Sequence, residues 1–421
     1  MKFKMMDWAK ILFPINRSIT GEGVRETIKF IKKNVNSNFK NFKVKSNKKI
    51  YDWKVPLEWY VSEAYIKEIG GEKICDFKNN NLHILGYSTN IDKILTFKEL
   101  KKNIFYIRKK PDVIPYFTSY YKKKWGFCLS FNQFKKLNHK KNYHVIIKSK
   151  HFKGNLDYTE LLIKGKSKKE ILVISYICHP SMANNELSGP LVIMGLSKIL
   201  KPDNYSVRLV LIPETIGAVA YINQNYTRLK NNLVAGFNLS CVGDGGPFTL
   251  ISSKEKNTYA DKIAKRVLSK TNKLKIESFL KRGSNERQFG CQNLNFPFVT
   301  VCRTRFGDYK EYHTSADNLN IINEVNLKST LRQMLLIIKE IQKSKIFIKD
   351  MKCEPFFSKY NLVRTTRKRA NKLERNIFSL AAYVDKNYDE IELAKTLNIS
   401  RNKVIENLKI LKNKKIIKIF E

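Results

Sequence analysis

Apolar positions along the chain follow two different periods, and the change from one to the other divides it into four regions. In "GVRETIKFIKKNV", Val24, Ile28, Ile31 and Val35 recur every three or four residues. That spacing predicts an amphipathic helix, with the Ser and Thr of "SITGE" as its caps. From about 42 to 129 the pattern becomes short apolar and aromatic runs such as "KIYDWKVPLEWYVSEAYI" and "NNLHILGYST", broken by Pro, Gly and Asn. This predicts a small β-rich module. Between about 130 and 347, the strand-length runs "YHVIIKS", "EILVISYIC", "VRLVLIPET", "LVAGFNLSCVG" and "FPFVTVCRT" are interspersed with helical patterns such as "SGPLVIMGLSKIL" and "TYADKIAKRVLSK". Such an order predicts an α/β domain on a mixed, largely parallel sheet flanked by helices. From about 365 a basic run, "TTRKRANKLERN", leads into three helix-length patterns and an extended "IIKIF". With "LNIS" as the turn, these predict a winged helix-turn-helix over 365–421. The α/β domain is then expected to comprise 1–41 and 130–347, with 42–129 inserted.

Charge adds a question about partners. Eighty Lys and Arg against 37 Asp and Glu leave a formal +43 over 421 residues, a balance that commonly marks proteins of nucleic acids, anionic membranes or acidic polymers. The lysines are spread through every region alongside Asn and Ile, as an AT-rich coding bias would leave them, whereas a nucleic-acid surface is expected to be clustered. Arg401, Asn402, Lys403 and Asn407 are the residues placed to face a DNA groove. The alternative, a C-terminal module that packs on the main domain or mediates homo-oligomer assembly, is the one the spread of charge favours. No apolar run reaches the roughly 18 residues of a membrane span, and "MKFKMMDWAKILFPINRS" lacks the form of a signal peptide. Seven widely spaced cysteines with no C-x-x-C pair argue against a disulfide framework. A cytoplasmic protein is expected.

Candidate chemistry lies at the strand ends, where ligand sites of such sheets form. Of six histidines, His83, His139, His144 and His151 sit in strand-like or lysine-rich surroundings, while His179 and His313 have carboxylates nearby. Two His and one Glu form a known zinc shell with an open position for water, and His179, Glu186 and His313 supply those residue types. Glu214, after a strand and before a helix, is placed to act as a base that is not a ligand. A strand-end His capping a loop and a Glu opening a helix also occur without function, so spacing leaves both readings open. The aromatics Trp53, Trp59, Tyr116, Tyr120, Tyr121 and Trp125 read as the core of the β-rich module rather than a substrate face. Cys178 and Cys241 adjoin the site as buried strand cysteines.

The motifs "YICHPSMANNELSGP", "IPETIGAVAYI", "RGSNERQF" and "EYHTSADNL", in that order, resemble those of a bacterial aminopeptidase-like family. Its members are distantly similar to zinc aminopeptidases and glutaminyl cyclases and are often encoded among polysaccharide biosynthesis genes. "RSITGEGVRETIKFIKK" resembles its opening helix, and the β-rich insert and C-terminal winged helix resemble its accessory parts. The resemblance implies a peptidase-like fold, with Glu214 as general base and His179 and His313 as ligands. Where zinc aminopeptidases carry acidic residues, this chain has Ser181, Asn185, Thr215 and Ser240, so a two-zinc centre is not expected. A single zinc held by His179, Glu186 and His313 is expected instead, with Glu186 taking the place of the missing Asp. Asn285 stands where the family has Asp. Glu286, Arg287 and Asp244 are expected to line the substrate pocket, Arg287 pairing a carboxylate. The expected function is a one-zinc hydrolase acting on an amide or related carbonyl of a peptide-like or amide-bearing substrate. Its rivals are a non-catalytic DNA-binding or scaffolding protein on a peptidase fold, and an amide-processing enzyme of surface polysaccharide biosynthesis.

Overall fold

Alternate side chains of the central strands part to opposite faces of one sheet. In the strand Ser167–Tyr176, Ile171 and Val173 enter one buried cluster and Leu172, Ile174 and Tyr176 the other. In Tyr205–Ile212, Val207, Leu209 and Leu211 part likewise from Val210 and Ile212. Period-two alternation with both faces apolar is what a strand covered on both sides requires, and each such side chain contributes roughly 1.5–3 kcal/mol on burial. The computed structural model describes residues 3–420 apart from 292, 350 and 363–370. The basic residues expected at 364–369 therefore lie outside the described residues.

The sheet has eight strands in the order Lys40–Lys45, Asn155–Ile163, Tyr205–Ile212, Ser167–Tyr176, Leu233–Leu239, Phe298–Cys302, Thr249–Ile251 and Lys275–Glu277. The four central neighbours, 205–212 through 298–302, run parallel, so their carboxyl ends share one edge. Antiparallel pairings flank them. Helices Met5–Leu12, Glu22–Asn34, Ser188–Ile199, Tyr259–Leu268 and Glu324–Lys343 cover one face, and Ile216–Asn232 packs on the other. The mixed α/β architecture expected from the periodicity is observed.

Two boundaries differ from expectation. The strand Asn142–Phe152, which contains "YHVIIKS", pairs with Glu58–Glu68 and Ile91–Thr96 in a four-stranded antiparallel sheet. The small sheet thus takes in chain beyond 129, while Lys40–Lys45 extends the large sheet past 41 by pairing with Asn155–Ile163. The helix Glu22–Asn34 is entered not through a Ser or Thr cap but through Gly21, at φ 110°. A Cβ there would lie 2.7 Å from the Trp59 carbonyl oxygen, so the close approach of the small sheet needs glycine.

At the C-terminal end, helices Lys372–Tyr383, Glu390–Leu397 and Arg401–Asn413 enclose Ile377, Leu380, Leu393, Val404, Leu408 and Leu411. Left-handed Asn398, φ 52°, makes the turn between the second and third. The last strand, Ile417–Ile419, pairs antiparallel with Phe347–Lys349 instead of forming the hairpin of a wing. Asp389, the N-cap of the second helix, accepts from both terminal nitrogens of Arg266 at 2.9 Å, which ties this module to the helix Tyr259–Leu268.

Candidate active site

His179 lies three residues beyond the strand Ser167–Tyr176, in a turn that feeds helix Ser188–Ile199 through a π-helical segment, Ala183–Leu187. The backbone N–H groups of Ala183, Asn184 and Asn185 all donate to the Asp317 carboxylate, at 3.0, 2.6 and 3.0 Å. Asp317 thereby caps the helical segment and joins it to the loop that carries His313. Burial pushes its carboxyl up to about 6 against those hydrogen bonds. A Cβ on Gly189 would meet the Ser175 Oγ at 2.2 Å and the Leu239 carbonyl oxygen at 2.5 Å, so glycine lets this helix lie directly on the strand ends.

His179, Glu214 and His313 meet at the shared carboxyl edge. Nε2 of His179 is 3.8 Å from a Glu214 carboxylate oxygen, and the two imidazole rings are 5.6 Å apart between centroids. Tyr312 stacks on His313 at 3.9 Å. Burial, with His179 nearby, pushes the His313 imidazole down to about 3, so it stays neutral and able to ligate. Burial also pushes the Glu214 carboxyl up, toward a value suited to proton transfer. For His179, burial acts downward but is outweighed by contacts with Cys178 and the Glu186 carboxylate, and the ring is held above its ordinary value. Four of the non-glycine residues at positive φ lie here: Ser181, Thr215, Cys241 and His313 have φ of 43°, 60°, 52° and 54°. Non-glycine residues in this region cost free energy and cluster at functional sites.

The expected ligand shell is not assembled as expected. Glu186 accepts a hydrogen bond from Nδ1 of His179 at 2.8 Å and makes an ion pair with Arg17 at 3.2 Å. It therefore holds the far side of the ring. Among the described residues, the His, Cys, Asp and Glu donors that converge within 4.8 Å of one another are Cys178, His179 and Glu186, without His313. Two expected pocket residues are also spent on structure. Glu286 accepts from the backbone N–H groups of Gly283 and Ser284 and from the Thr300 hydroxyl. Asp244 accepts from Asn184, Gly246 and Thr304. Arg287 is exposed.

The positions expected to lack acidic ligands are neutral and engaged by neighbouring groups. Asn185 and Ser240 both bond the Tyr176 hydroxyl, Asn285 accepts from the Thr215 N–H, and Ser181 contacts Asn81. Burial pushes the Cys178 thiol up, which argues against a nucleophilic thiolate.

Sequence reasoning missed Arg17, Asp317 as a cap, and Tyr116. The β-rich insert delivers Tyr116 into the site through an isolated bridge between Pro115 and Thr314. Its N–H donates to the His313 carbonyl at 2.9 Å, and its ring lies 5.3 Å from His179 and 5.2 Å from His313. Trp59, stacked on Tyr87, and Tyr120 belong to the insert's core as expected. In the C-terminal module, Arg401 bonds Glu390, Lys403 pairs with Glu406 and Asn402 is exposed. Asn407, expected to face a groove, is buried.

A sheet with these strand-end residues defines an aminopeptidase-like α/β protein. Residues 6–344 match the family described as a domain of unknown function (DUF4910), and the chain belongs to that family. It is 40% identical, over 84% of its length and 81% of the relative's, to a Clostridium acetobutylicum polysaccharide biosynthesis protein with an aminopeptidase-like domain. A crystal structure from the same organism, described as a peptidase, aligns over 99% of this chain and 96% of that one with TM-score 0.80 and 35% identity. The Bacillus subtilis zinc aminopeptidase BSAP shares the fold, with TM-score 0.56 and 13% identity over 80% of this chain and 95% of that one. No helix among the described residues is long and apolar enough to cross a membrane.

Proposed function

We propose that the protein is a hydrolase of amide or related carbonyl bonds with a single zinc held by His179 and His313 and with Glu214 as general base. The observation that carries this reading is the meeting of the two imidazoles and Glu214 at the carboxyl edge of the parallel strands. Two of the three protein donors that a catalytic zinc takes are present. His313 is neutral, Nδ1 of His179 is already bonded so that Nε2 is the nitrogen left, and two imidazoles on one tetrahedral zinc stand roughly 5 Å apart between ring centres. The neutral residues at 181, 185, 215 and 240 favour one ion over two. When bound, zinc supplies a Lewis acid that polarises a carbonyl and acidifies water. Glu214, half-buried and with a raised affinity for protons, takes a proton from the attacking water and returns it to the leaving nitrogen. Tyr116 packs against both histidine rings and Tyr312 stacks on His313, and exposed Arg287 is the residue available to a substrate carboxylate.

The missing acidic ligands favour one rival, a non-catalytic member of the fold. A panel of aminoacyl anilides and amide-bearing sugars, with zinc content measured in parallel, separates the two. Glu214→Gln is expected to keep zinc and to lose about two orders of magnitude or more in turnover. Zinc lost along with activity would make Glu214 a ligand. No wild-type turnover on the panel would support the non-catalytic reading.

A further inference from the structure

Arg17 is 1% exposed in the segment between helices Met5–Leu12 and Glu22–Asn34, and its guanidinium reaches two groups of the His179 turn. Nε donates to the His179 carbonyl at 3.1 Å and lies 3.2 Å from the Glu186 carboxylate. Nη1 turns the other way, to the Leu12 carbonyl at 2.8 Å and the Thr27 hydroxyl at 3.4 Å. Glu186 is 0% exposed, and its second oxygen is the one bonded to Nδ1 of His179. A carboxylate this deep keeps its charge only if a cation and hydrogen bonds replace water. A ring nitrogen bonded to a charged carboxylate is fixed in orientation, and the choice of the other nitrogen follows.

We infer that Arg17 is a positioning residue of this site, pairing with Glu186 so that the carboxylate is fixed against Nδ1 of His179 and Nε2 is left turned toward Glu214. The inference rests on the reading of His179 as a working residue of the site. Ser181 does not share this duty, since its hydroxyl is engaged by Asn81 and the Phe13 carbonyl. The bonds to Leu12 and Thr27 would be made equally by an arginine that only stapled the N-terminal segment. The charge on Glu186 would not be needed for that.

The test uses the full chain, metal-free, labelled with 15N-histidine, followed by calorimetric zinc titration. Wild type is expected to show a slowly exchanging proton on Nδ1 of His179, assigned by its absence in His179→Ala. Arg17→Gln, which keeps a donor but removes the charge, is expected to lose that proton and to bind zinc about 10–100-fold more weakly. Arg17→Lys, which keeps the charge, is expected to retain most of both. Retention of the proton and of zinc affinity in folded Arg17→Gln would overturn the inference. Should Arg17→Gln not fold, Arg17→Lys decides, retention of the proton supporting the inference and loss overturning it. A wild type that shows the proton but binds no zinc would refute the zinc reading and leave Arg17's role standing.

Discussion

Changing Arg266 to Met is expected to loosen the C-terminal module from the α/β domain. Asp389 is fully buried at the junction, where its carboxylate accepts from Arg266 Nη1 and Nη2 at 2.9 Å, from the Tyr259 and Ser344 hydroxyls at 3.1 and 3.2 Å, and from the Ile391 and Glu392 N–H groups. Arg266 also pairs with Glu392 at 2.6 Å. Removing one partner of a buried pair costs about 3–5 kcal/mol because the remaining charge is left without a counterion. Four neutral donors would remain on Asp389, so the lower end applies, and about 3 kcal/mol shifts the docked equilibrium by roughly 100-fold. Burial pushes the Asp389 carboxyl up, but Arg266 and the Glu392 N–H outweigh it and hold it below its ordinary value. The stabilisation is therefore present above the unfolded value of about 3.9 and is lost as pH falls through the lower folded value. Amide hydrogen exchange in Phe347–Lys349, Ile417–Ile419 and Glu390–Leu397 is the assay. Exchange in Arg266→Met within about twofold of wild type at neutral pH would refute the coupling, since it corresponds to less than about 0.5 kcal/mol.

Other outcomes follow from single contacts. Gly21→Ala forces a Cβ against the Trp59 carbonyl at positive φ and is expected to cost at least about 1–3 kcal/mol; an unchanged melting temperature would contradict that. Because a proton is held on His179 above its ordinary value, zinc must displace it, and affinity measured by calorimetry should rise up to about tenfold per pH unit below that value; a flat profile from pH 5 to 8 would show that no proton is displaced. Arg401 is engaged by Glu390, so any binding of duplex DNA should be non-specific, fall steeply with salt and change little in Arg401→Ala; a strong preference for one sequence would contradict the docked, non-reading module.

The central strands were legible because their β-branched runs are apolar on both faces, His179 and Glu214 were singled out because each follows such a run, and His313 because carboxylates flank it. The strand Asn142–Phe152 was legible as a strand but not as a member of the small sheet, since its alternation suits either partner and the pairing with Glu58–Glu68 is non-local. Glu186 misled because ligand spacing says nothing of side-chain direction inside a π-helical turn, where the carboxylate points to Arg17 and Nδ1. Asp244 carried a usable signal, for "DGG" is the pattern of a side chain bonding the N–H two residues on, as Gly246 shows. Arg17 and Tyr116 lie in segments without period, placed only by tertiary contacts.

The most direct test is the metal content of wild-type protein purified without chelator and dialysed after zinc loading, with the ion located by anomalous diffraction. About one zinc per chain is expected, next to Nε2 of His179 and the ring of His313, falling to near zero in His179→Ala or His313→Ala. Less than roughly a tenth of an equivalent in wild type, or an ion seated at Cys178 and Glu186 instead, would contradict the account.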